Sequence, residues 1–542
     1  MAIVLPDRKL ALYNLQDVEA VSRQLPFKHA ILDVKGKRLL AAPLNIDAAK
    51  VLKNLGVDAP SPMPWQYGWP GLHDPFYAQR VTASFLSLER RAYVLNGMGT
   101  GKTLGALWAY DYLRSLGKVR RALITAPLST LWSTWEDEVR LSFPHLNVEV
   151  LHGPRKKRLA LLDSAADVYI VNHHGLKMIK DAMAKRSDID LFIIDELSVF
   201  RNAQASTLWT PANAIANQQL GGGRWVWGMT GTPIPNAPTD AYGQCRLIAP
   251  ASSPRTFTMF RDKTMRQVNQ YKWAALSDAV ETVHSLMQPA VRFTLDDCTD
   301  LPEQIFTERR VAMSKEQHTA YKNMREKLKA EHESGQILAV NQGVKASKLM
   351  QIACGIAYRE DDQPHVEFDC KDRLDAVTDL IDQSEGKVLI FVPFTAAINM
   401  VAEHVARHLG KTNHYKTQMV TNKIAGNPAI NDRVAIVHGG VSGTKRRDVF
   451  AAFQNSDELH VIVAQPGTMS HGLTLTAAST IIWYGLPDSN ETFEQANARV
   501  RRPGQTRRTV IATVTSSQIE TLVAARLKAR QSTQGALLDL FK

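Results

Sequence analysis

Cysteine is scarce and scattered. Cys245, Cys298, Cys354 and Cys370 are the only four in 542 residues, and no two of them form a CxxC pair. That spacing speaks against a zinc clip and against the disulfide framework of a secreted domain, so a reducing compartment is expected. No stretch reaches 18 consecutive apolar residues, and the opening MAIVLPDRKLALYNLQ mixes charges among its apolar residues, so neither a membrane span nor a signal peptide is read from the sequence. Low-complexity tracts and short-period repeats are missing too. With 44% hydrophobic and 22% charged residues the composition is that of a globular protein. Acidic residues fall short of basic ones, 53 Asp and Glu against 65 Lys and Arg, for a net charge of +12. Such an excess suits a polyanionic partner, nucleic acid foremost, without saying where the charge lies.

A chain this long exceeds one ordinary domain, and about three units are expected at roughly 100–200 residues each. Residues 1–70 carry short strand patterns, AILDV and RLLAAPL, and run into the Pro/Trp/Gly-rich SPMPWQYGWPGLHDP, which reads as a linker after a small N-terminal module. Thereafter apolar strands alternate with helical patterns: YVLNG, ALITAP, VYIVN, LFIIDE and WVWGMTG, then KVLIFVPF, RVAIVHGG, LHVIVAQPG, TIIWYG and TVIATVTS. Strands separated by crossover helices predict parallel sheets covered on both faces, hence an α/β chain with two lobes, 71–300 and 301–542. Between the two strand series helical patterns dominate, QHTAYKNMREKLKAEHES most clearly, with LPEQIFTERRVAM as a strand candidate among them.

The first strand of the first series runs into LNGMGTGKTLGALWAYDYL. A phosphate-binding loop needs glycines where backbone N–H groups crowd a phosphate, a lysine to reach its outer oxygens, and a hydroxyl for Mg²⁺. Gly97, Met98, Gly99, Thr100, Gly101, Lys102 and Thr103 supply this set between a strand and a helix N-terminus, whose dipole favours an anion. Asn96 stands where the strict motif has glycine. LFIIDEL then places Asp195 and Glu196 at the end of a strand of the same sheet, the pair expected to hold Mg²⁺ and to orient and deprotonate an attacking water. In ARVRR, Arg499 and Arg502 are candidates to sense the terminal phosphate from the second lobe, because a planar guanidinium binds phosphate bidentately; a solvated basic face is the other reading of that run. HVARH has the helical spacing of two metal-binding histidines but lacks the glutamate and third ligand of a zinc site.

In order the chain shows MGTGKT, APLSTLWSTWEDEV, DELSVFRN, TGTPIPN, VLIFVPF, HGGVSGTKRRDVFAAF, GLTLTAAST and QANARVRRPGQ. This series resembles helicase superfamily two, and within it the Swi/Snf-type DNA-dependent ATPases, in a compact prokaryotic or viral form. The resemblance implies two RecA-like lobes with helical insertions, ATP and Mg²⁺ held in the cleft between them, and movement along double-stranded or branched DNA. It also implies that Gln79 reads adenine, that Thr230 and Thr232 couple the sites, and that Gly472, Gln495, Arg499 and Arg502 close the cleft. Ser198 at the fourth position of DELS, Thr474 in GLTL, and Asn96 and Gly97 before MGTGKT depart from the family pattern.

A motor that travels over any sequence holds phosphates and not base edges. Ser129, Thr130, His173, Thr395 and Arg446, the last within the basic run Lys445–Arg447, are the candidates for that track. Trp132 and Trp135, three apart on an amphipathic helix, are expected to pack into the core in preference to stacking on bases. A monomer in the cytoplasm of a prokaryotic or virus-infected cell, working on DNA with or without a protein partner and away from membranes, completes the expectation. A strand-separating helicase and an ATP-gated DNA-binding module are its alternatives.

Overall fold

The structure is a computed structural model that describes residues 2–204, 207–218, 223–269, 272–333, 340–359, 365–411, 429–431, 433–469 and 474–541. Four antiparallel strands open the chain, β1 (Ile3–Leu5), β2 (Leu10–Tyr13), β3 (Ala30–Val34) and β4 (Lys37–Pro43), in the order β1-β2-β4-β3. Lys35 and Gly36, both at positive φ, make the tight turn between β3 and β4. The helix Ile46–Asn54 follows, capped by the Asn45 side chain on the Ala48 N–H at 2.8 Å. Ala11, Leu40, Ile46 and Leu52 share one core cluster with Leu86, Trp108 and Trp227, so this sheet packs directly on the lobe that follows. The aromatic-rich stretch after it is pinned as well: Tyr67 donates to Asp111 at 2.6 Å, and Trp108 donates to the Pro70 carbonyl at 2.8 Å beneath Trp69.

The first parallel sheet comprises β5 (Arg91–Val94), β6 (Arg121–Ala126), β7 (Val148–Val150), β8 (Val168–Asn172), β9 (Ile189–Asp195) and β10 (Trp225–Met229). An exposed hairpin, β11 (Met265–Asn269) and β12 (Lys272–Ala275), stands apart, and β13 (Ala290–Val291) then returns to the sheet edge in the order β13-β5-β10-β9-β6-β8-β7. Every pairing in this seven-stranded sheet is parallel. Its strands are apolar without alternation because both faces are covered. Ile124 and Ile193 pack into the cluster on one face, while their neighbours Leu123 and Phe192 pack into the cluster on the other.

The second sheet begins with β14 (Gln304–Arg310) and, after the small hairpin β15 (Ile356–Ala357) and β16 (Val366–Glu367), continues with β17 (Lys387–Phe391), β18 (Ala429–Asn431), β19 (Val434–Val437), β20 (Val461–Ala464), β21 (Ala478–Trp483) and β22 (Thr509–Thr515). The order is β14-β22-β21-β17-β20-β19-β18, with β18 alone antiparallel to its neighbour. The two-lobed α/β fold expected from the strand series is present. LPEQIFTERR, read from sequence inside a helical region, is the edge strand β14 lying along β22. The last helix, Gln518–Asp539, spans about 33 Å at the usual rise per residue. Val523 and Leu527 near its start sit in the second-lobe core, whereas Leu537 and Leu538 at its end sit in the first-lobe core beside Phe541, which packs on His284 at 4.5 Å. It therefore braces one lobe against the other.

Arg373 anchors the start of that brace. Its fully buried guanidinium contacts the Tyr484 and Val514 carbonyls and pairs with Glu520 at 2.5 Å. Burial alone would pull the Arg373 pKa down and push the Glu520 pKa up; their mutual attraction outweighs both effects, so Arg373 ends above its ordinary value and Glu520 below. Removing one partner leaves a bare buried charge, a loss of about 3–5 kcal/mol. Glu520→Ala is expected to lower the unfolding midpoint in urea accordingly. Because the Glu520 pKa is depressed, the stabilisation is in full force above the unfolded carboxyl pKa of about 4.3 and is lost as pH falls through the folded value. Parent-like stability of the variant at neutral pH would show that the pair does not hold the brace.

Candidate functional site

The first sheet turns the C-terminal ends of β5 and β9 toward the cleft between the lobes, where turns out of parallel strands gather polar groups that the strands themselves exclude. Beyond β5 the chain turns through Asn96–Gly101 into the helix Lys102–Ser115. Gly99 and Gly101 adopt φ of 81° and 73°, the left-handed region open to glycine, and a side chain on Gly101 would collide with Gln79. Lys102 is folded back into this loop, its ammonium donating to the Asn96 and Gly97 carbonyls at 3.0 Å each, and Thr100 donates to Gly97 at 2.9 Å. Arg292 and Phe293, just past β13, clasp the loop from the side: Gly97 donates to the Phe293 carbonyl at 2.8 Å, and Arg292 to the Leu95 carbonyl at 2.8 Å.

β9 ends at Asp195, and Glu196 breaks the strand with φ 52°, a left-handed conformation uncommon for a glutamate. Trp135 donates its indole N–H to Asp195 at 2.9 Å. Burial pushes the Glu196 carboxyl up to about 7, the Asp195 charge adding to the effect while Lys102 opposes it. Asp195 is likewise raised by burial against the pull of Trp135 and Lys102. Burial lowers the Lys102 pKa, with both carboxylates opposing.

From the second lobe the helix Asn490–Asn497 brings Arg499 and Arg502 into the same cleft. Burial holds Arg499 down at about 9 and Arg502 at about 10, with the charge of Glu196 opposing in each case. Arg502 lies over the phosphate-type loop, since a Cβ on Gly99 would come within 3.8 Å of its Cγ, and it donates to the Thr474 hydroxyl at 3.1 Å. The structure thus brings Lys102, Asp195, Glu196, Arg499 and Arg502 into one electrostatic cluster that neither lobe forms alone. A cavity of about 300 Å³ opens beside it, lined by Gly97, Met98, Gly231, Arg292, Glu494 and Gln534.

The other expected residues are distributed unevenly. Gln79 is buried, accepting from the Phe76 N–H at 2.8 Å and reaching the Gly101 carbonyl at 3.4 Å. Thr103 follows Lys102 in the first helical turn. Thr230 accepts from the Thr232 N–H at 3.1 Å, and the buried Thr232 hydroxyl has no partner among the described residues. Gln495 is buried against Glu491, while Gly472 lies outside the described residues. Ser129 and Thr395 are exposed and Arg446 is half-buried.

Two residues proposed for the DNA track face the wrong way. His173 is buried, bonded to the Asp195 carbonyl at 2.9 Å and stacked edge-on to Phe200, with its pKa lowered to about 4 by burial. Thr130 spends its hydroxyl on the Pro127 carbonyl at 3.0 Å inside the fold. The two tryptophans also part company: Leu131–Glu136 winds as a π-helix, which shifts the angular spacing, so Trp135 is buried and Trp132 stays 38% exposed against His152. His404 and His408 face Asp375 and Asp382, and no cluster of metal-ligand type occurs among the described residues.

Sequence reasoning missed Trp135 as the partner of Asp195, because only the π-helical turn aims it there. It also missed Glu491, which accepts from Ser198 and from Arg201 of the first lobe, each at 3.0 Å.

Comparison with known proteins gives a family model for the SNF2-related domain matching residues 84–361 and one for the helicase conserved C-terminal domain matching 372–504. Protein p41 of Acyrthosiphon pisum secondary endosymbiont phage 1 is 26% identical over 489 residues, 86% of this chain and 98% of the phage protein. The SWI/SNF-related matrix-associated actin-dependent regulator of chromatin subfamily A-like protein 1 of Xenopus tropicalis is 25% identical over 80% of this chain, which spans 41% of that longer protein. Among solved structures, Mycobacterium smegmatis helicase Lhr bound to ssDNA and AMP-PNP superposes with a TM-score of 0.50 at 15% identity, covering 85% of this chain and 48% of that one, a likeness of fold.

Glu491 links the lobes through charge-assisted hydrogen bonds, one of them to a partly exposed arginine whose contribution solvent reduces. Glu491→Gln is expected to weaken the hold of the lobes on each other by about tenfold, near 1.4 kcal/mol, and so to raise the population of more widely separated lobes. Fluorescence energy transfer between dyes on the two lobes, in nucleotide-free protein, measures this; an unchanged distance distribution would remove Glu491 from the lobe contact.

Proposed function

We propose, from the premise that the chain belongs to the SNF2-related family of DNA-dependent ATP hydrolases in helicase superfamily two, that it is a motor which turns over ATP between its two lobes to move along double-stranded or branched DNA. The observation that carries this reading is the charge cluster where the lobes meet: the carboxylates and lysine come from one lobe and the arginines from the other, so a step that changes charge in the cleft changes how the lobes hold each other.

Roles for the residues follow from their chemistry. The loop Gly97–Thr103 offers backbone N–H groups and a helix N-terminus to the phosphates, and Lys102 exchanges two backbone carbonyls for phosphate oxygens. Gln79, beside Gly101, is placed to meet the base. Thr103 and Asp195 are a hard-oxygen donor set suited to Mg²⁺, and a buried carboxylate with a raised pKa is the kind of group a cation satisfies. Bound Mg²⁺ would neutralise charge on the β- and γ-phosphates. Glu196, held near neutral pKa, takes the proton of the attacking water at its carboxylate. Arg499 and Arg502 stabilise charge spreading over the transferred phosphoryl group, which draws the second lobe inward. Thr230, Thr232, Gly472 and Gln495 are assigned to coupling and closure.

DNA lies across both lobes in this proposal, with Ser129, Thr395 and Arg446 retained among its phosphate contacts, and the unit 1–70 bears on which DNA structure is chosen. The lobes are taken as 71–300 and 301–542, acting as a monomer in the cytoplasm of a prokaryotic or virus-infected cell. Among the described residues no helix is long and apolar enough to cross a membrane.

The test is ATP turnover by the purified chain alone and with single-stranded, duplex and forked DNA and RNA. Duplex or forked DNA is expected to stimulate most. Lys102→Ala and Glu196→Gln are each expected to cut kcat by about 10²–10³, the usual cost of removing one preorganised charged group. Stimulation confined to single strands would favour strand separation. Turnover indifferent to every nucleic acid would refute the motor.

A further inference from the structure

One projecting element of the first lobe takes no part in the cleft. Between residues 255 and 275 the chain carries Arg255, Arg261, Lys263, Arg266 and Lys272 against the single carboxylate Asp262. Arg261 pairs with Asp262 at 3.0 Å, while Lys263, Arg266 and Lys272 are exposed and have no carboxylate partner among the described residues. The last two belong to β11 and β12, which form a two-stranded sheet of their own with no third strand. An isolated hairpin is marginal in water. The stretch Arg266–Asn269 is exposed throughout, Val268 to 54%, and joins none of the core clusters. Among the described residues the hairpin is held at its base and on one face. Phe257 and Phe260 of the supporting helix Phe257–Thr264 pack on Tyr242, Leu276 donates to the Thr264 carbonyl at 3.0 Å, and the Arg261 guanidinium stacks on Trp273 at 3.9 Å.

The register sorts the two faces. Gln267 lies opposite Trp273, and Arg266 opposite Ala274, while Lys272 lies opposite Asn269 after a bulge. Side chains alternate along a strand, so Trp273 takes the face on which Arg261 stacks, and Arg266, Ala274 and Lys272 share the other. Arg266 and Lys272 are thus diagonal cross-strand neighbours, about 7–8 Å apart, comparable with the spacing of successive phosphates along one strand. Only the small Ala274 stands between them. A solvated basic face would need neither this supported projection nor a cationic surface cleared of bulk.

We infer that this hairpin is a second grip on the phosphate backbone of duplex DNA, outside the cleft and formed by Arg266 and Lys272 with Lys263 at its base. The inference rests on the reading of the chain as a DNA motor. Such contacts carry no sequence information and suit an element that must hold and release a uniform track. They add affinity for the duplex without entering the ATP chemistry.

Fluorescence anisotropy of a labelled duplex with the full chain, over a series of salt concentrations, tests it together with DNA-stimulated ATP turnover. Each phosphate contact contributes about 0.9 to the slope of log affinity against log salt, so Arg266→Ala with Lys272→Ala is expected to flatten the slope by roughly 1.8, and Lys263→Ala alone by roughly 0.9. The DNA concentration for half-maximal turnover is expected to rise about tenfold in the double variant, a shift of about 1.4 kcal/mol. Basal turnover and turnover at saturating DNA stay unchanged, and Arg266→Lys with Lys272→Arg retains the parental slope. A parent that binds duplex DNA with the same salt slope as both alanine variants would overturn the grip and leave the motor standing. A slope that flattens on single-stranded RNA but not on the duplex would also overturn it. A parent that neither binds DNA nor responds to it would overturn the motor, and the grip with it.

Discussion

Charge buried at the meeting of two lobes governs this molecule. Arg499 is buried, and Asp195, Glu196, Lys102 and Arg502 are partly shielded from water, a position in which an ion is favoured by an opposite charge close by. The directions of the pKa shifts agree on this point: burial works against ionisation of every member, and the members of opposite sign work for one another. Like charges are also held close within the set, Asp195 beside Glu196 and Arg502 beside Arg499. Its carboxylates are pushed toward neutrality, and its lysine is turned back on the loop's own carbonyls. A polyphosphate with a divalent cation would bring charges of both signs to such a set, so in the proposed motor occupancy of the site and the relation of the lobes would belong to one equilibrium.

The covalent path reinforces the coupling. The chain leaves the first sheet at β13, enters the second at β14 a dozen residues later, and comes back through the helix Gln518–Asp539 to bury Leu537 and Leu538 in the first lobe. The lobes are joined both by this connection and by the packing of the helix end, which share the lining of one cavity through Arg292 and Leu295 on one side and Gln534 and Leu538 on the other. Glu491 adds a third tie near the chemistry. Because packed interfaces tend to have discrete arrangements and do not deform continuously, these ties favour a small number of lobe positions.

Legibility in the sequence followed the range of the interactions. The strand series was readable because a parallel sheet buried on both faces demands unbroken apolar runs, and those runs are local. The phosphate-type loop and the Asp195–Glu196 pair were readable because their chemistry needs neighbours in sequence. β13 was not, being two residues long and defined only by its pairing with β5. The contact of Trp135 with Asp195 and the burial of His173 were not legible for a related reason. A π-helical turn swings the indole onto Asp195, and the strand end at Asn172 tucks the imidazole under the same residue, so both serve the site from inside the fold. Glu491 meets Ser198 across a separation of 293 residues, a pairing that no window on the sequence contains.

The positions that depart from the family pattern carry compensating contacts. Asn96 replaces the glycine of the strict loop motif, yet its side chain is buried and occupied at both ends, accepting from the Phe293 N–H and donating to the Thr82 hydroxyl, each at 2.9 Å. It fastens the start of the loop to the segment just past β13 and to the helix that carries Gln79. Ser198 departs at the fourth position of its motif, and its hydroxyl donates to Glu491 of the other lobe. Thr474 likewise accepts from Arg502. Asn96, Ser198 and Thr474 each carry a short polar side chain that finds a hydrogen-bond partner at the site. A sequence that breaks a local rule stays foldable when the broken rule is matched by a satisfied contact. Asn96 finds its partners within the first lobe and Thr474 within the second, so of these three it is Ser198, through Glu491, that adds a tie between the lobes.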